Sequence, residues 1–185
     1  RILTHLGSLF EGISTLDLAE PSSGEAAKGT SALAMRAKDG EVIEFAKVFT
    51  IDVAVEKWLN ELADCMRTTL EGILECALID AANWETDSHR EDWVTRYPAQ
   101  LALVASQVMW TEETEASLDD YENGTDDAVR KYRDVCTSRL ETLIGRAQED
   151  LDKDLRTKIT TLITIDVHNR DVVQGLVKAR TEGPN

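Results

Sequence analysis

The run from Trp93 to Leu118, WVTRYPAQLALVASQVMWTEETEASL, sets the tightest limit on what this chain can fold into. From Ala99 to Trp110 only Gln100, Ser106 and Gln107 are polar, so a helix here is apolar round most of its circumference, the pattern of a helix buried at the centre of a larger body. Pro98 predicts where it starts. A proline at the first helical position gives up an N–H that would be unpaired anyway, and it pushes the preceding Tyr97 toward extended backbone. About a dozen apolar residues fall short of the roughly 20 that a membrane-spanning helix needs. The expectation is a central helix wrapped by its neighbours.

Those neighbours are legible as stripes. Val55, Trp58, Leu59, Leu62, Ala63, Met66, Leu70, Ile73, Leu74, Ala77 and Leu78 advance in helical steps and predict one long helix from Val53 to Ile79, N-capped by Asp52 with Glu56 in its first turn. Val129, Tyr132, Val135, Cys136, Leu140, Leu143, Ile144 and Ala147 do the same between Asp126 and Glu149. A last helix follows the DLDKDL break, carrying Leu155, Ile159, Leu162, Ile163, Val167, Val173, Leu176 and Val177 and fraying at Gly183-Pro184. After Trp110, TEETEASLDDY predicts a second acidic helical piece capped by Thr111 and broken at Asn123-Gly124.

The N-terminal third differs. Ile2, Leu6, Leu9, Phe10 and Ile13 suggest a short amphipathic helix, and DLAEPSSGEAAKGT a loop. SALAMRAKDGEVIEF reads as a hairpin turning at Asp39-Gly40, with Leu33 and Met35 on one strand and Val42 or Ile43 and Phe45 on the other facing the helices. The predicted fold is mainly α: a helical bundle of long amphipathic helices with one small β-hairpin, a single domain overall. Its expected parts are an N-terminal helix within 1–20, a loop at 21–30, the hairpin at 31–50 and the bundle at 51–182.

Function is narrowed mostly by exclusion. A net charge of -15 opposes binding to nucleic acid or an anionic membrane, both of which need clustered Lys and Arg. Cys65, Cys76 and Cys136 form no CxxC and fit a reducing compartment such as the cytosol. The opening RILTHLGSLFEGISTL has neither a long apolar core nor a cleavage site, so it is no signal peptide. Lacking an initiator methionine, the chain reads as a piece of something larger. No GxxxxGK[ST] or GxGxxG loop is present to cradle phosphate.

The nearest approach to a catalytic cluster is ITIDVHNRDVV, in which His168 would be a general base oriented by Asp171. It lacks a nucleophile and an oxyanion donor. Asp166 and Arg170, spaced i to i+4 with the acid first, are better read as a helix ion pair on the inward line from Leu162 to Val173, a candidate register lock. His5 and His89 have no second ligand nearby and are read as surface residues. Glu112, Glu113, Glu115, Asp119 and Asp120 lack a calcium-loop pattern and are read as a solvated face. Trp58, Trp93 and Trp110 are expected to anchor the core. No catalytic, cofactor or metal residue is assigned.

WVTRYPAQLALVASQVMWTEETEASL, followed by LRTKITTLITIDVHNRDVVQGLVKAR with its Ile165–Val173 motif, resembles the C-terminal part of the linker of a dynein heavy chain, of the axonemal (ciliary or flagellar) kind. GEVIEF at Gly40–Phe45 and VEKWLNELADCMRTTLEGIL at Val55–Leu74 resemble the hairpin and following helix of that family. The resemblance departs at Ser117 and in DDYENGTDD. It implies a mechanical lever arching over a ring of AAA+ modules, with ATP and magnesium bound in the ring and none in this segment. The implied partners are that ring, other dynein subunits and microtubules reached through the parent chain. An acidic surface would then dock weakly and salt-sensitively on the ring. The alternative is a stand-alone acidic helical adaptor.

Overall fold

The computed structural model describes residues 6–19, 30–51, 55–84 and 90–181. The expectations for Ile2, His5, His89, the Asp52 cap, the Glu56 side chain, the loop at 21–29 and the fraying at Gly183-Pro184 lie outside the described residues. The chain divides into two compact units, Arg1–Glu75 and Cys76–Asn185.

In the first unit, helix α1 (Leu6–Leu9) leads into strands β1 (Ile13–Leu18), β2 (Thr30–Ala37) and β3 (Val42–Ile51), which form an antiparallel sheet in the order β1-β2-β3. Instead of a two-stranded hairpin preceded by a longer helix, the chain makes three strands. The helical spacing ends at Gly12, whose φ of 89° suits glycine and stops α1. Beyond it, Thr15-Leu16-Asp17-Leu18 alternates with period two, and Ile13 and Thr15 are β-branched. Leu16 pairs with Met35, and Asp17 meets Arg36 across the two strands at 2.7 Å.

The β2–β3 turn differs from an Asp-Gly turn. Gly40 N–H bonds to Ala37 O, so Lys38 and Asp39 are the central pair and Gly40, at φ 99°, follows as the left-handed residue. Met35 and Phe45 face the core as predicted, and of the alternatives Val42 and Ile43 it is Ile43 that packs on it, while Leu33 and Val42 are exposed. The register explains Leu33. Ala32 pairs with Phe49 and Ala34 with Glu44, so Leu33 alone lies opposite Phe45 to Val48, and this bulge turns it outward. Helix α2 (Val55–Ala81) covers the inner face: Trp58, Leu62 and Met66 pack with Leu6, Leu16, Ala32, Met35, Phe45 and Phe49. It also satisfies a backbone group freed by the bulge, since Ala46 N–H donates to the buried Thr69 hydroxyl at 3.2 Å.

The second unit joins the end of α2 to α3 (Arg90–Arg96), α4 (Ala99–Glu122), α5 (Ala128–Ala147) and α6 (Lys153–Thr181). Pro98 is the residue before the first turn of α4, with extended ψ of 146°, and its carbonyl accepts Ala102 N–H. The run from Trp93 therefore splits into two helices at Tyr97-Pro98. Helix α4 then continues unbroken to Glu122, and Thr111 is no cap: its hydroxyl bonds back to Gln107 O.

Nor is α4 wrapped on all sides among the described residues. Leu101, Ala102, Ala105 and Ser106 are buried, whereas Leu103 and Val108 are half-buried and Val104 is exposed. Asn123 and Gly124, at φ 100°, end α4. Asp152 caps α6 by accepting the Asp154 and Leu155 N–H groups at 3.0 and 2.9 Å. Arg156 reaches back from α6 to the last carbonyl of α5 at Ala147 and to that of Glu149 in the turn that follows. Val129, Tyr132 and Val173 centre an apolar cluster joined by Leu118, Val135 and Leu176. No described helix is long and apolar enough to cross a membrane.

Candidate functional site

The inward line of α6 places Asp166 between the buried residues Leu162 and Val173, where a carboxylate needs compensation. That compensation does not come from Arg170. The partner is Arg90, the first residue of α3, which grips Asp166 with both terminal nitrogens: Nη1 donates to Oδ2, and Nη2 to Oδ1 at 3.0 Å. The side chains are 9% and 10% exposed. Arg170 instead turns out to its neighbour Asp171 at 2.7 Å, on a partly exposed surface. The two-pronged grip explains the preference: a planar guanidinium fork matches two carboxylate oxygens, which an i to i+4 partner on the same helix rarely does.

Aromatic rings and a second ion pair surround this one. The Arg90 guanidinium lies 5.1 Å from the Trp84 ring centre, and that of Arg139 lies 5.5 Å from it. Arg139, on α5, grips Glu113 of α4 at 2.6 and 3.0 Å. Tyr132 donates to the same carboxylate at 3.1 Å. Trp84 meets Trp93 edge to face at 4.9 Å between centres. Trp93 is fully buried and donates its indole N–H to Ala77 O at 3.0 Å, tying α3 to the last turns of α2. Lys158 of α6 donates to the carbonyls of Val94 and Tyr97, closing the C-terminal end of α3. Trp84, Arg90, Ser106, Trp110, Tyr132 and Asp166 are among the residues that line a cavity of about 30 Å³ with mixed polar and apolar walls.

The electrostatics favour holding over chemistry. Burial pushes the Cys136 thiol above its ordinary pKa, away from the thiolate a nucleophile needs. Burial and the nearby Cys136 and Glu113 push the Tyr132 phenol up as well. Burial together with Asp80, which accepts the Tyr97 hydroxyl at 2.6 Å, raises Tyr97 to about 12. The buried Asp166 and the half-buried Glu113 are both engaged by guanidinium groups, and no three His, Cys, Asp or Glu side chains among the described residues are placed to share a metal ion.

Of the residues singled out in the sequence, Trp93 and Asp166 meet in this region, and Trp110 lies at the cavity wall, half-buried. Pro98 starts α4 nearby, Trp58 belongs to the core of the first unit, and His168 is exposed. Sequence reasoning missed Arg90, Trp84 and the Arg139–Glu113 pair. One signal was available for Arg139, which interrupts the inward stripe of Tyr132, Cys136, Leu140 and Leu143.

The chain matches known proteins along its whole length. The family model described as dynein heavy chain, N-terminal region 2, matches residues 1–77. The ciliary dynein beta chain of Tripneustes gratilla is 36% identical over 182 residues, 98% of this chain and 4% of that protein. The chain belongs to the dynein heavy-chain family. Dynein axonemal heavy chain 17 of Homo sapiens is 34% identical over 182 residues, and the flagellar outer-arm dynein beta chain of Chlamydomonas reinhardtii 33% over 181, each covering 98% of this chain and 4% of the relative. The chain thus spans about 4% of the length of these curated relatives. Kinship with ciliary and flagellar chains assigns this dynein sequence to the axonemal cytoskeleton.

Two outcomes follow from the geometry. Asp166→Ala strands the Arg90 charge in the interior and costs about 3–5 kcal/mol, whereas Arg170→Ala changes stability by no more than about 0.5 kcal/mol; urea unfolding of both variants compares them. Tyr97, being an acid whose folded pKa is raised, contributes stability that is fully present below pH 10 and is lost as pH rises toward 12. Tyr97→Phe should therefore flatten the fall of melting temperature across that window.

Proposed function

We propose that this dynein heavy-chain sequence is part of the linker, near its C-terminal end, and acts as a stiff lever rather than as a site of chemistry. The observation that carries the reading is the match to dynein heavy chains over 98% of the chain, joined to the order of its two linker-like motifs, Trp93–Leu118 and Ile165–Val173. In this reading, ATP and magnesium bind in an AAA+ ring elsewhere in the parent chain. The linker carries the ring's conformational change into movement along microtubules, together with other dynein subunits. The interior supports the mechanical part. A lever has to transmit force without its helices sliding, and the Arg90–Asp166 and Arg139–Glu113 pairs key α3 to α6 and α4 to α5 through interactions that a slipped register would leave unpaired.

The acidic surface offers a salt-sensitive face for docking on the ring. The stand-alone adaptor is the weaker reading, because a full-length match to motor chains gives it no support. The test replaces this segment, within a complete axonemal heavy chain, by a flexible Gly/Ser stretch of equal length. The proposal expects ATP hydrolysis by the ring to persist while microtubule gliding stops. Gliding that continues at the parent rate, or a parallel loss of hydrolysis and gliding, would overturn the lever role.

A further inference from the structure

Three buried N–H groups on residues that line the cavity of the helical unit find no acceptor among the described residues: Trp84 Nε1, Arg90 Nε and Trp110 Nε1. They come from the turn after α2, from α3 and from α4, so one small guest would bridge three elements. Buried donors are paired in native proteins, and a cavity orders water where its walls offer two or more polar partners, as these do. We propose that the cavity is a binding site for ordered water, which accepts from these donors and donates to the free lone pairs of Asp166. A volume of about 30 Å³ admits about one or two water molecules.

The chemistry of the walls decides among guests. A cation would face two guanidinium groups and the three N–H donors, with the Asp166 carboxylate already neutralised by Arg90. An anion would find both guanidiniums already neutralised, by Asp166 and Glu113, and would sit against the Asp166 carboxylate in a medium that screens poorly. Water alone both accepts from the three N–H groups and donates to the carboxylate without adding charge. The site thereby completes the hydrogen bonding of Arg90, whose Nη atoms are committed to Asp166 and, more weakly, to Ser106 at 3.4 Å.

The test is magnetisation transfer from water to the indole N–H protons of the ¹⁵N-labelled, unmutated chain. Trp93, which donates to Ala77 O, is the internal control. The proposal expects Trp84 and Trp110 to show cross-peaks of the sign given by long-lived bound water, with none at Trp93, and expects them to persist in Ser106→Ala. No cross-peak at Trp84 and Trp110 would overturn it, as would cross-peaks that vanish in Ser106→Ala and therefore come from the hydroxyl. Titration with chloride or nitrate at constant ionic strength should leave both indole resonances unmoved. A saturable shift would overturn water in favour of an anion.

Discussion

The two-pronged contact between Arg90 and Asp166 is the constraint on which the helical unit depends. Both charges are taken almost entirely out of water, which costs several kcal/mol per ion unless geometry and further hydrogen bonds offset it. Here the fork geometry, the Trp84 face and Ser106 supply the offset. Apolar stripes such as Tyr132–Leu143 and Ile159–Val173 are tolerant of sliding, because a shift of one turn buries similar area. A buried carboxylate is not tolerant, since one turn away it loses both hydrogen bonds. Helix α3, only seven residues long, is too short to hold itself together in water. It persists because Arg90, Trp93 and the Lys158 clamp tie each of its turns to something else.

Most helices were legible in the sequence because their stripes are long: α2, α5 and α6 each carry eight or more apolar residues at helical spacing, and the stops at Asn123-Gly124 and before Asp152 have local chemistry. Strand β1 was not. Leu6, Leu9, Phe10 and Ile13 continue one helical rhythm, and only the left-handed Gly12 shows that the rhythm ends before Ile13. The exposure of Leu33 was equally hidden, since alternation along β2 says nothing of a bulge imposed by β3.

The site divides the same way. That Asp166 lies on an inward face follows from its spacing to Leu162 and Val173. Its partner does not, because spacing rules describe neighbours on one helix, and Arg90 is 76 positions away. The i to i+4 pairing with Arg170 was the best local answer, but it lost to a partner with better geometry and less solvent. Thr111 failed for a related reason: a capping residue is only a cap where a helix begins, and α4 runs through it.

These features set polar keys into an apolar bundle and hold its register. The claim is tested most directly by a double-mutant cycle on Arg90→Met and Asp166→Leu, read by urea unfolding. The account predicts that each single substitution costs about 3–5 kcal/mol and that the double variant recovers much of the loss, for a coupling energy of about 2–3 kcal/mol. Losses that simply add, with coupling below about 0.5 kcal/mol, would contradict it.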